Sequence, residues 1–120
     1  MIITDPYLFK ESKNKKEDDE YCNILAKIIM KAKAKSIRVI TNYRNYNNDI
    51  HKKIENKLTQ DIKIIWNDDF HDRFWIADRK KGFYTGTSIN GLGKRITLIN
   101  LLSKDEVKII IDELNKKECL

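Results

Sequence analysis

The apolar runs of this chain change their spacing at Trp66, and that change limits the folds open to it. Before Trp66, short β-branched runs alternate with stretches of helical period. SIRVITN (36–42) and IKIIW (62–66) read as buried strands, while Leu25, Ile28, Ile29 and Ala32 mark an amphipathic helix within Tyr21–Ala34, and Ile50, Ile54 and Leu58 mark another. With an initial apolar strand the order is strand, helix, strand, helix, strand, which predicts parallel pairing through right-handed crossovers. After Trp66 the runs RFWIAD, GFYTG and RITLINL follow too closely for helices between them, so they are expected to extend the sheet in an antiparallel or mixed sense. SKDEVKIIIDEL then supplies a last helix, with Ser103 as N-cap, Glu106 completing a capping box, and Val107, Ile110, Ile111 and Leu114 on one face. The expected fold is α/β: one domain over residues 1–120, a mixed sheet sandwiched by helices, without repeats or linkers.

At the start, Ile2–Thr4 and Tyr7–Phe9 read as a short apolar strand broken by Asp5-Pro6, where the proline ends ladder pairing. The following KESKNKKEDDE mixes both charge signs with almost no apolar residue and reads as a mobile, solvated loop. A length of 120 residues supports one compact core. The 24 Lys+Arg against 18 Asp+Glu give a formal charge of +6, which favours phosphate-bearing partners. Most of the excess lies before residue 61. Cys22 and Cys119 fit neither a disulfide framework nor a metal spacing, and the N-terminal MIITDPYLF lacks the basic and long apolar regions of a secretory signal. No run approaches the roughly 18 apolar residues of a membrane span. These features lead to the expectation of a reducing, cytoplasmic setting with no membrane insertion and no cofactor.

The stretch HDRFWIADRKKGFYTGTSINGLGKR, residues 71–95, concentrates the chemistry. Along a strand His71 and Arg73 would project to one side and Asp72 to the other. Arginine presents a planar fork of donors suited to phosphate oxygens, and a neighbouring imidazole can attack phosphorus or pass a proton to a leaving group. Asp78, five residues beyond Arg73, is placed to orient an imidazole. Past the turn, Gly86 allows close approach of a ligand to the backbone, and Ser88 and Asn90 can donate hydrogen bonds to a phosphoryl group.

The spacing His71-x-Arg73, four residues, Asp78, then GTSIN resembles the HxK(x)4D…GSxN motif of the phospholipase D superfamily. HDRF…GTSINGLGKR is similar to an HDR-type branch found in bacterial and phage-associated proteins. The initial DPY strand, two strand–helix units and the strand leading into the motif also look like one domain of that superfamily. The resemblance implies His71 as nucleophile or general acid, Arg73 in place of a phosphate-binding lysine, Asp78 as support for an imidazole, and Ser88 and Asn90 as phosphate ligands. It implies a covalent phosphohistidine formed and hydrolysed without metal. Because such enzymes use two motifs and this chain has one, a homodimer is implied, bringing two copies of His71 together on nucleic acid or another phosphodiester. The chain departs from the pattern in three ways: arginine replaces lysine, seven residues rather than six separate Asp78 from Gly86, and Ser88 lies two residues after the glycine instead of one. A module that binds phosphate or nucleic acid without cleaving it, as part of a defence or phage-related system, is the alternative.

Rival readings start from the same residues. Asp69 or Asp61 with Asp78 and Lys80 could serve a Mg²⁺ nuclease, although DRKKG reads better as a turn. Individually, His71 and the Asp72/Arg73 pair could be ordinary surface residues. GLGK lacks the first glycine of a nucleotide loop. His51 reads as a solvated helix residue. Trp66, Trp75, Phe74, Phe83 and Tyr84 are expected in the core, whereas Tyr43 and Tyr46, flanking Arg44 in NYRNYNN, are the better candidates to touch a base.

Overall fold

The computed structural model describes residues 1–86 and 98–120 and contains nine regular elements among them. Strand β1 (Ile2–Thr4) is followed by α1 (Lys15–Lys31), β2 (Ile37–Thr41), α2 (Asn48–Glu55) and β3 (Ile62–Trp66). Then come β4 (Arg73–Ala77), β5 (Lys81–Thr85), β6 (Ile99–Leu101) and α3 (Lys104–Lys116). They build one mixed sheet in the order β3-β2-β1-β4-β5-β6. The two crossovers give parallel β1–β2 and β2–β3 pairs, and the close-spaced runs after Trp66 add antiparallel β1–β4, β4–β5 and β5–β6 pairs. The parallel pairs follow from the spacing, since the first half leaves enough chain for helices between strands, and the short β4–β5 connection allows only an antiparallel pair.

Strand alternation sends successive residues into separate cores. Ile3, Ile37, Val39 and Trp75 pack with Leu25 and Ile29 of α1 and Ile50 and Ile54 of α2. On the other face Ile2, Ile40 and Ile76 pack with Val107 and Leu114 of α3. Two helices therefore cover one face and one helix the other. Lys53 of α2 donates to Asp19 of α1 at 2.8 Å, and that bond holds the Asp19 carboxyl below its usual range.

Two expectations at element boundaries are corrected. The charged stretch KESKNKKEDDE is not a loop throughout, because α1 begins at Lys15. The side chain of Asn14 caps the backbone N–H groups of Lys16 and Glu17, and Glu17 and Asp18 lie in the first turn, where the helix dipole favours negative charge. Asp18 also accepts from the Ser12 N–H at 2.8 Å, which fixes the approach to the helix. Tyr7–Phe9 is a turn rather than strand, with the Asp5 carboxylate accepting the Tyr7 N–H at 2.8 Å and Leu8 and Phe9 turned into the core. The last strand is seen over Ile99–Leu101, and residues 95–97 of the expected RITLINL run lie outside the described residues.

Between β4 and β5 the chain reverses in a tight turn closed by Lys80 N–H to the Ala77 carbonyl at 3.1 Å. Asp78 and Arg79 both occupy the left-handed region, with φ of 54° and 55°. Aspartate tolerates this conformation comparatively well, whereas arginine incurs the steric penalty of its Cβ. Farther along β5, Gly82 is required by crowding, since a Cβ there would lie 2.6 Å from the Trp75 carbonyl oxygen and 3.0 Å from Ile76 Cγ1.

Candidate functional site

The pairing directions place the carboxyl ends of β1, β2, β3 and β5 and the amino end of β4 along one edge of the sheet. Strand order also reverses there: β1 to β3 grow in one direction, and the chain then returns past β2 and β1 to lay β4 on the other side of β1. Open α/β sheets bind ligands outside such carboxyl ends.

Arg73, the first residue of β4, is half-buried at this edge and pairs in register with buried Thr85. Its guanidinium lies over the Tyr7 ring, 5.3 Å from the centroid, and Nη1 donates to the Gly86 carbonyl at 3.5 Å. Its Nε is buried and meets no acceptor. Among the described residues no carboxylate forms an ion pair with it. An arginine ordinarily satisfies its donors with an anion or several carbonyls. Arg73 is thus held on an aromatic face without an ion-paired carboxylate among the described residues.

The start of β4 is set by Thr4. Its buried hydroxyl donates to the Asp72 carbonyl and accepts the Phe74 N–H, both at 3.0 Å, bridging β1 to the backbone on either side of Arg73. Beneath this corner, the Tyr21 hydroxyl donates to the Leu8 carbonyl at 2.6 Å. Burial, reinforced by the Asp5 charge, pushes the Tyr21 phenol well above its usual value.

His71 is exposed and precedes β4 rather than lying in it, so strand alternation does not fix its side chain beside that of Arg73. Their backbones are nonetheless close, since two residues span at most about 7 Å. The connection carrying His71 is pinned by the C-terminal segment. Asn67 Oδ1 accepts the Asp69 N–H at 2.7 Å, Lys117 donates to the Asp69 carboxylate at 3.2 Å, and Phe70 packs against the core beneath α3. Among the described residues the His71 imidazole has no hydrogen-bond partner.

Asp78 corrects the expected constellation. It lies in the turn at the opposite end of β4, roughly 20 Å from His71 at about 3.3 Å per residue. It therefore does not orient the His71 imidazole within this chain; burial lowers the pKa of the Met1 ammonium group, and the Asp78 charge partly opposes that shift. The same separation dismantles the Asp69 form of the rival Mg²⁺ arrangement, because Asp69 and Asp78 bracket the strand from opposite ends. Gly86 lies beside Arg73 as expected, while Ser88 and Asn90 lie outside the described residues.

Farther along the edge stands an aromatic group that sequence reasoning divided wrongly. Trp66, expected in the core, is 39% exposed and stacks on Tyr43 at 4.0 Å with an interplanar angle of 27°. Tyr46 packs edge-on against Trp66 and against buried Phe9, so it supports the stack more than it faces solvent. His51 also departs from expectation. It is packed against Phe9 and Tyr46, with its Nδ1 2.7 Å from the Tyr46 hydroxyl and its Nε2 3.2 Å from the Glu55 carboxylate. A carboxylate can only accept, so Nε2 is the donor in the contact with Glu55. Trp66 ends β3, an edge strand of the sheet, so only β2 flanks it.

No family model, curated protein or solved structure matches this chain. Among the described residues no helix is long and apolar enough to cross a membrane.

Proposed function

We propose that the chain is a phospholipase D-like phosphodiesterase that acts on nucleic acid without a metal, with His71 as nucleophile and Arg73 as phosphate ligand. The observation that supports this reading best is Arg73. A cation fixed on Tyr7 at the carboxyl edge of the parallel strands, next but one to an imidazole, where among the described residues neither an opposing carboxylate nor a partner of that imidazole is found, suits an incoming phosphate.

In the proposed reaction a ring nitrogen of His71 attacks phosphorus, forming a P–N bond as the ester P–O bond breaks. The leaving oxygen takes a proton from His71 of a second copy brought up in a homodimer. That second imidazole, now neutral, accepts a proton from water as the water's oxygen attacks phosphorus, and the P–N bond breaks to return free His71. Arg73 stabilises the charge that develops on the equatorial oxygens. Ser88 and Asn90 are the further phosphate ligands in this proposal.

A second reading, binding without cleavage, is favoured by the position of Asp78, since neither it nor any other carboxylate among the described residues contacts His71. Incubating the purified protein with DNA, RNA and bis-nitrophenyl phosphate in EDTA separates the two. Cleavage that His71→Ala abolishes is the expected result, together with a dimer in sedimentation. Saturable binding of the strands without turnover would replace the enzyme by the binding module, and strict Mg²⁺ dependence would overturn the mechanism.

A further inference from the structure

The stack at the ends of β2 and β3 is a surface that the proposed chemistry leaves unused. Tyr43 is 69% exposed, yet its ring is ordered against Trp66, which is itself propped by Tyr46 and, through it, by Phe9 and His51. One planar face is thereby presented to water on a fixed support. Arg44 adjoins it, and its partner Asp68 at 3.5 Å is exposed as well, so the pair contributes under about 1 kcal/mol and the guanidinium can exchange onto a phosphate. Asp69, the other nearby acid, is already paired with Lys117.

The platform shares its edge with Arg73. Thr41 and Trp66 are register partners at the ends of β2 and β3, and only β1 lies between β2 and β4. At about 4.8 Å per strand, the end of β2 is roughly 10 Å from Arg73, a separation that a short run of nucleotides spans. We infer that Tyr43 and Trp66 form a stacking platform for an unpaired base of single-stranded nucleic acid whose backbone runs along the sheet edge to Arg73. Every base offers a π-face, which makes such a platform tolerant of sequence. A duplex offers no free face within its stack, and a lipid headgroup has no planar ring. The direction of the strand rests on the phosphodiester reading of Arg73; the platform itself does not.

The test uses the intact chain and four probes: oligo-dT, oligo-U, an abasic phosphodiester strand of equal length, and a duplex. Trp75 is buried against Phe83, so fluorescence quenching on binding reports Trp66. The expected result is quenching by both base-bearing strands, about 10-fold weaker binding of the abasic strand and weaker binding still of the duplex. Tyr43→Ala should weaken base-bearing strands by about 10-fold without changing abasic binding, and Tyr43→Phe should restore it. Equal affinity for base-bearing and abasic strands, tighter duplex binding, or indifference to Tyr43→Ala would overturn the inference. Arg73→Ala supplies the independent arm. If it leaves abasic binding unchanged while the preference for bases persists, the platform stands and the phosphate reading falls.

Discussion

The two ends of β4 carry similar residues and have different duties. At one end Arg73 follows His71-Asp72; at the other Arg79 follows Asp78, again an arginine beside an aspartate. Arg73 is half-buried on Tyr7, its strand start fixed by Thr4, and its charge is unpaired by any carboxylate among the described residues. Arg79 is exposed in a left-handed turn that only reverses the chain. The difference teaches that a polar residue gains chemical meaning from what immobilises it, and that composition at a strand end does not reveal this.

The comparison can be broken most severely by charge removal at both ends. Arg73→Ala should reduce phosphodiester cleavage by about 10²-fold or more, as loss of a charge-stabilising donor does, whereas Asp78→Asn should leave the rate within a factor of two or so. Steady-state rates in EDTA check this, and equal losses at both ends would erase the distinction. Next in size is Gly82→Ala in the adjoining strand, where crowding against Trp75 and Ile76 should cost about 1–3 kcal/mol in urea denaturation. Ser103→Ala removes the α3 cap and should cost about 1 kcal/mol. The Glu106 carboxyl is held below its usual value by the Ser103 backbone N–H, so its contribution is present above the unfolded-state value and lost as pH falls through the lowered folded one. The difference between wild type and Glu106→Ala should therefore shrink in acid. The smallest effect is Arg79→Gly, which relieves a left-handed side chain and should stabilise by up to about 1 kcal/mol.

Much of the fold was legible because spacing is a strong constraint. IKIIW is β3 residue for residue, and the Ser103–Glu106 capping box is present as expected. Charge patterning misled at Lys15–Glu20, where the absence of apolar residues concealed a capped first turn. For the site, sequence adjacency located His71, Arg73 and Gly86 near one another but treated Asp78 as part of the group. A residue five positions along an extended strand is carried away, not brought back, and only a helix would have returned it. The Tyr43–Trp66 stack was hidden for the converse reason, because its members are far apart in sequence and meet only through the parallel β2–β3 register.

Covalent catalysis by the Arg73 end of β4 is tested most directly by mass spectrometry of protein quenched in alkali during turnover of bis-nitrophenyl phosphate in EDTA. The account predicts a nitrophenylphosphoryl adduct on the peptide containing His71, lost in His71→Ala and retained in Asp78→Asn. Turnover without an adduct at His71, or with the adduct on another residue, would contradict it.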